Sequence, residues 1–160
     1  VLTQSEADAL IVLQKKRATD TSYDFPKRGE TLAIPILSMD ERESFLLDIS
    51  RGRIRLTKCT YQERYGGIII LVRLDIDGQP HTNPEVSSVP VAYLASHNGA
   101  TLPCPHLHVY VEGFMDKWAI PAPPDKFPKI DDIHSTLDDF FRYCNIIQAP
   151  IIQRELFNDL

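Results

Sequence analysis

The clearest alternation of apolar and polar positions runs from Pro105 to Gly113. Leu107, Val109 and Val111 fall on one side; His106, His108, Tyr110 and Glu112 fall on the other. Successive strand side chains face opposite sides of a sheet, so this stretch predicts a strand with one buried face. Two histidines, a tyrosine and a carboxylate then share its polar row. A second run, Ile68 to Asp77, has apolar residues at its even positions and Arg73, Asp75 and Asp77 at its later odd ones. A third, Arg53 to Tyr61, sets Ile54 and Leu56 against Arg53, Arg55, Thr57, Cys59 and Tyr61. The glycine-containing stretch from Gln62 to Gly67 reads as a hairpin turn between the last two.

Helical periodicity appears in three places. Thr3-Gln4-Ser5-Glu6 has capping-box spacing and opens a helix with Ala7, Leu10 and Ile11 on one stripe. Lys15, Lys16 and Arg17 would close it, where the helix dipole favours cations. Ser38-Met39-Asp40-Glu41 repeats the capping-box spacing and predicts a helix with Phe45, Leu46 and Ile49 inward. The stretch from Asp131 to about Tyr143 carries Ile133, Leu137, Phe140 and Phe141 at helical spacing. Thr31 to Leu37 reads as a short strand, pushed to a sheet edge because Pro35 lacks a ladder donor. Lys117 to Ile120 reads as another short strand, and Ile151 to Leu160 as a short amphipathic helix.

Residues 18–30 read as a loop, residues 78–105 as a long prolyl loop and residues 121–130 as a proline-rich irregular segment. Loops as long as 78–105 inside a domain are usually functional or mobile. The expected architecture is α+β in a single domain over residues 1–160. One antiparallel sheet of about four or five strands carries helices packed on one face. Ile54, Leu56, Val72, Leu74, Ile76, Leu107, Val109 and Val111 form its expected core face. Arg53, Arg55, Tyr61, Arg73, Asp75, His106, His108, Tyr110 and Glu112 form its open face.

Charge and cysteine usage narrow the class. The 160 residues carry a formal net charge of −5, so the chain is not a generally basic nucleic-acid coat. Arg51, Arg53, Arg55, Lys58 and Arg64 still give a local basic cluster. The three cysteines are widely spaced with no C-x-x-C pair, which predicts reduced thiols and no zinc ribbon. Glu6 and Asp8 interrupt any signal-peptide core, and the aliphatic run Ile68 to Val72 is far too short to span a bilayer. The expected location is cytoplasmic, with no membrane partner. No P-loop, dinucleotide fingerprint, serine-nucleophile elbow or H-E-x-x-H is present, and no cofactor is expected.

Four motifs recur together: R-G-R-I-R-L-T-K-C-T-Y-Q, L-V-R-L-D-I-D-G-Q-P-H-T-N-P, C-P-H-L-H-V-Y and K-W-A-I-P. With them the chain resembles a family of small uncharacterised bacterial and prophage proteins, over about Asp48 to Ile146. Glu85 to Leu102 looks like an insertion between the second and third motifs. The resemblance implies no particular reaction, so function has to be argued from the residues.

Three chemistries fit the polar row, beside the plain alternative of a solvated face with paired charges such as Arg73 with Asp75 or Arg55 with Glu112. The first is metal-independent cleavage of RNA, as in a toxin-like endoribonuclease. His106, His108 and His81 would be acids or bases, Arg73 the cation at the phosphate, and Tyr110 or Tyr61 a proton donor or base-stacking ring. Arg53 and Arg55 would bind neighbouring phosphates. The order of elements is also similar to small endoribonuclease toxins. The second is a divalent-metal site, with His106 and His108 two residues apart on one strand and His81, Asp75 or Glu112 as third ligand. The third is a non-enzymatic module that docks on a protein partner, an antitoxin or a host factor.

Overall fold

The computed structural model describes residues 1–154. In chain order these form helix α1 (Gln4–Val12) and strands β1 (Lys15–Arg17), β2 (Ser22–Asp24), β3 (Thr31–Ser38), β4 (Ser44–Arg51), β5 (Cys59–Tyr65), β6 (Ile69–Asp75) and β7 (His81–Thr82). A 3-10 turn (Ala92–His97) follows, then β8 (Thr101–Leu102), β9 (His106–Val111), β10 (Met115–Pro121), helix α2 (Ile133–Tyr143), β11 (Ile146–Gln148) and β12 (Ile151–Gln153). Eight strands make one sheet in the order β10-β9-β6-β5-β4-β3-β1-β11. Its neighbours run antiparallel except β1 and β11, which are parallel. β12 pairs with β2, and β7 with β8, in two small ribbons.

A mixed eight-stranded sheet replaces the expected four- or five-stranded antiparallel one with its covering helices. The difference has local causes. Residues 44–51 are β4, not a helix, and it is Phe45, Leu47 and Ile49 that are buried, a period of two. The presumed capping residue Ser38 instead ties a tight turn. Its hydroxyl donates to Asp40 and accepts from the Glu43 amide, while Glu41 takes a left-handed φ of 62°. The cations placed at the end of α1 are β1, which pairs with β3 and β11. Ser22–Asp24, inside the expected loop, is β2.

Pro35 lies inside the sheet rather than at its edge. Its carbonyl accepts from the Ala18 amide at 3.2 Å, just beyond β1. A residue's N and C=O point to the same side of a strand, so the missing donor faces the side where the β1 ladder has ended. The run from Arg53 to Leu56 is not a strand: Ile54 is 88% exposed, in a turn over Gly52–Lys58. β5 instead continues through the predicted turn to Tyr65, and Gly66 and Gly67 make the hairpin with φ of 59° and 74°. Such left-handed pairs match strand twist and suit glycine. Residues 151–153 are a strand rather than a helix start. The remainder of that expected helix lies outside the described residues.

The core face holds Ile34, Ile36, Leu47, Ile49, Tyr61, Val72, Leu74, Leu107, Val109 and Trp118. Val72, Leu74, Leu107 and Val109 are on the side the alternation predicted. Helix α2 packs there through Leu137, Phe140 and Phe141, with the Tyr61 and Phe140 rings 6.0 Å apart. Asp132 caps it by accepting from the His134 and Ser135 amides. Within this core Lys15 and Glu63 form an ion pair at 3.1 Å with both side chains fully buried. The Lys15 ammonium also donates to the carbonyls of Cys144 (2.7 Å) and Ile11 (2.9 Å), ending two helices at once. No helix of the described residues is long and apolar enough to cross a membrane.

Candidate functional site

Strand register assembles the site. β6 and β9 pair with Asp75 opposite His106 and Arg73 opposite His108. Residues directly opposite on antiparallel strands point to one face, so four functional side chains meet within two rungs. His106 Nε2 lies 3.1 Å and His108 Nε2 3.3 Å from the same oxygen, Asp75 Oδ2. Arg73 closes the group: Nη2 is 2.9 Å from His108 Nε2 and Nε is 3.2 Å from Asp75 Oδ1. A further carboxylate, Asp116, stands 3.4 Å from Arg73 Nη1.

The face is not open, contrary to the reading of the alternation. Every residue of β9 is buried, and His106 and His108 are only 1% and 2% exposed. The segment 78–105 provides the cover. It is ordered by Asn83, whose amide donates to the Ala119 carbonyl and accepts from the Ala119 amide, both at 2.8 Å. That contact copies a strand pairing along the outer edge of β10. Two residues earlier His81 Nε2 donates to the Lys117 carbonyl at 2.7 Å. The His81 ring is thereby laid against His108, with centroids 4.5 Å apart, and 6.0 Å from His106.

Each buried ring is pinned by a backbone carbonyl. His106 Nδ1 faces Pro103 O at 3.2 Å and His108 Nδ1 faces Asp116 O at 2.9 Å. Cys104 lies beside them, its sulfur 3.7 Å from His106 Nδ1. Burial pushes the Asp75 carboxyl up, but bonding from His106 and His108 and the charge of Arg73 outweigh it. The carboxyl is held far below its ordinary range. Burial, with the neighbouring imidazoles adding to it, holds His81 below its ordinary value. Burial, reinforced by Asp75 and Asp77, pushes the Cys104 thiol up to about 11, so it is no ready nucleophile.

A cleft of about 340 Å³ opens beside the cluster, lined by Lys58, Thr60, Arg73, Asp75, Asp77 and Cys104 among others. Arg73 and Asp75 therefore join the buried histidines to the surface. The ligand atoms of Asp75, His106 and His108 all lie within 4.8 Å of one another, which makes them the donor set available to a metal. The chain belongs to a family of unknown function, DUF6978. The family's sequence profile matches residues 2–146, which include the whole cluster and the cleft. No curated protein and no solved structure matches the chain.

The structure brings together His81, His106, His108, Arg73 and Asp75 and leaves the other sequence candidates elsewhere. The Tyr110 hydroxyl donates to the Leu2 carbonyl at 2.6 Å. Glu112 accepts from the Gln4 amide, so both hold the start of α1. Tyr61 is on the core face, donating to the Ile133 carbonyl. Arg55 pairs with Asp77 at 2.7 Å, and Arg53 is an exposed turn residue. Asn83 and Asp116 were not singled out from sequence. His81 and Asn83 are two residues apart, as are Lys117 and Ala119, and that matching period-two spacing was the available signal for Asn83. Asp116 had none, since it follows Met115 at a left-handed φ of 57° in an irregular start to β10.

Proposed function

We propose that the chain cleaves RNA without a metal, using Arg73 and Asp75, which line the cleft, and the imidazoles packed behind them. One observation carries the reading. A guanidinium, three imidazoles and two carboxylates form a contiguous network whose partly exposed members, Arg73 and Asp75, line a cleft with Lys58. In this mechanism Arg73 and Lys58 hold the phosphate. His81 takes the proton from the 2′-hydroxyl as its oxygen attacks phosphorus. The 5′-oxygen leaves with a proton returned from the His106–His108 pair, and a cyclic phosphate remains. Burial keeps His81 neutral near pH 7, the state a base needs. Arg73 supports metal-free chemistry, because a cation already balances Asp75.

The burial of His106 and His108 favours a second reading, a protein-binding module in which the network only stiffens the sheet. One assay separates the two. The isolated chain is incubated with a mixed RNA pool in chelator, alongside Arg73→Ala and His81→Ala. A positioned acid or base contributes about a hundred- to ten-thousand-fold, so His81→Ala should lose activity on that order, and Arg73→Ala should lose activity by releasing the phosphate. Equal cleavage by all three proteins, or none by any, removes the ribonuclease reading.

A further inference from the structure

Two imidazoles and a guanidinium converge on a single carboxylate. A neutral imidazole has one N–H and one lone pair. His106 stands between two acceptors, Pro103 O at 3.2 Å and Asp75 Oδ2 at 3.1 Å. His108 stands between Asp116 O at 2.9 Å and the same Asp75 oxygen at 3.3 Å. If each Nδ1–H serves its carbonyl, both Nε2 lone pairs point at one anionic oxygen. Arg73 Nη2, 2.9 Å from His108 Nε2, answers one of them. On the His106 side the Cys104 thiol, 3.7 Å from Nδ1, can donate there and free Nε2–H for Asp75, or a metal ion can take the Nε2 lone pair.

We propose that Asp75, His106 and His108 form a binding site for a borderline divalent transition ion of the zinc class, and that Arg73 is the resident cation such an ion displaces. Zinc holds N and O ligands at about 2.0–2.2 Å in a tetrahedron, which sets neighbouring ligand atoms roughly 3.3–3.5 Å apart. The two nitrogen-to-oxygen edges here are 3.1 and 3.3 Å. Two imidazoles and one carboxylate suit zinc and its neighbours better than magnesium or calcium. The carbonyls on the far ring nitrogens fix tautomer and orientation, the support that metal-bound histidines typically have. Asp75 lines the cleft, so an ion has a way in. Arg73 has a second carboxylate to move onto, with Asp116 Oδ2 already 3.4 Å from its Nη1.

The site stands on this geometry alone and not on the ribonuclease reading. If that reading also holds, zinc should inhibit cleavage, because it takes the imidazole lone pairs and dislodges Arg73.

Equilibrium dialysis of the full, tag-free chain against zinc tests the proposal. Cobalt absorption in the visible reports ligand type, and circular dichroism checks each variant's fold. One zinc per chain is expected, with histidine-ligand bands for cobalt. His108→Ala and Asp75→Asn should each weaken binding at least about tenfold, the lower end of what even a supporting group contributes. Arg73→Ala should bind zinc more tightly than wild type, because the competing guanidinium is gone. Misfolding cannot produce that gain, so the proposal stays falsifiable if the histidine variants fail to fold. No zinc on wild type and none on Arg73→Ala overturns the site. Equal binding by wild type and His108→Ala overturns it too. Binding by wild type that Arg73→Ala does not tighten overturns the displacement. No RNA enters this assay, so its failure is separate from failure of the cleavage assay.

Discussion

Two buried charged clusters stand on opposite faces of the same sheet, and they are built differently. On the core face Lys15 meets Glu63, one cation to one anion, with the lysine's other donors spent on helix-ending carbonyls. On the other face one carboxylate, Asp75, is met by two imidazoles and a guanidinium and borders a cleft. The carboxyls respond in opposite directions. Burial raises Glu63 despite the lowering effect of Lys15, whereas the two histidines and the charge of Arg73 around Asp75 outweigh its burial. A fully buried, closed pair is structural. A cluster with more nitrogen than its carboxylate needs, opening on a cleft, has bonding capacity left for a ligand.

The largest expected effect comes from breaking the closed pair. Lys15→Ala leaves Glu63 buried without its partner and should cost about 3–5 kcal/mol in urea unfolding. Replacing both members by apolar residues, Lys15→Met with Glu63→Leu, should recover most of that loss. If the single variant costs under about 1 kcal/mol, the range typical of an exposed pair, the contrast between the clusters fails.

A smaller loss is expected from the clamp that covers the second cluster. Asn83→Ala leaves the Ala119 N–H and C=O without their buried partner, worth about 1–3 kcal/mol. The same change frees the His81 segment. Hydrogen exchange at Ala119, whose N–H donates to the Asn83 side chain, should rise while the amides of β4 and β5 stay protected. Unchanged exchange at Ala119 would mean that the segment is held by something else.

The smallest effect is a pH dependence. A carboxyl whose folded pKa is raised contributes stability that is fully present below its unfolded pKa, about 4.3 for Glu. That stability is lost as pH rises through the folded value. Wild type should therefore lose ground to Glu63→Gln as pH rises above about 4, measured as the difference in unfolding free energy. A difference that grows with pH would show Lys15 dominating the environment of Glu63.

Much of the site was legible in the chain. Period two over His106–Val111 and Ile69–Asp75 placed the histidines opposite the core residues, and the hydrophobic face of α2 was read correctly. What misled was the local pattern at Ser38–Glu41, where capping-box spacing also fits a tight turn. Only the partner strands β3 and β5 make the alternation of Phe45, Leu47 and Ile49 decisive. In the same way, Lys15 to Arg17 looks like a helix end until Glu63 is beside it.

By itself the sequence determined which side of β6 and β9 each residue takes, because side-chain direction along a strand is fixed by parity. It also determined that the H-x-H pair would share a face with Arg73 and Asp75 if their strands met in register. The tertiary structure decided the rest. Register between β6 and β9 put Asp75 against both imidazoles, and the Asn83 clamp buried the row that parity alone would leave open to solvent. Those outcomes depend on contacts between residues 31 to 36 positions apart, such as Asp75 with His106 and Asn83 with Ala119. Periodicity along one strand carries no information about such distant partners.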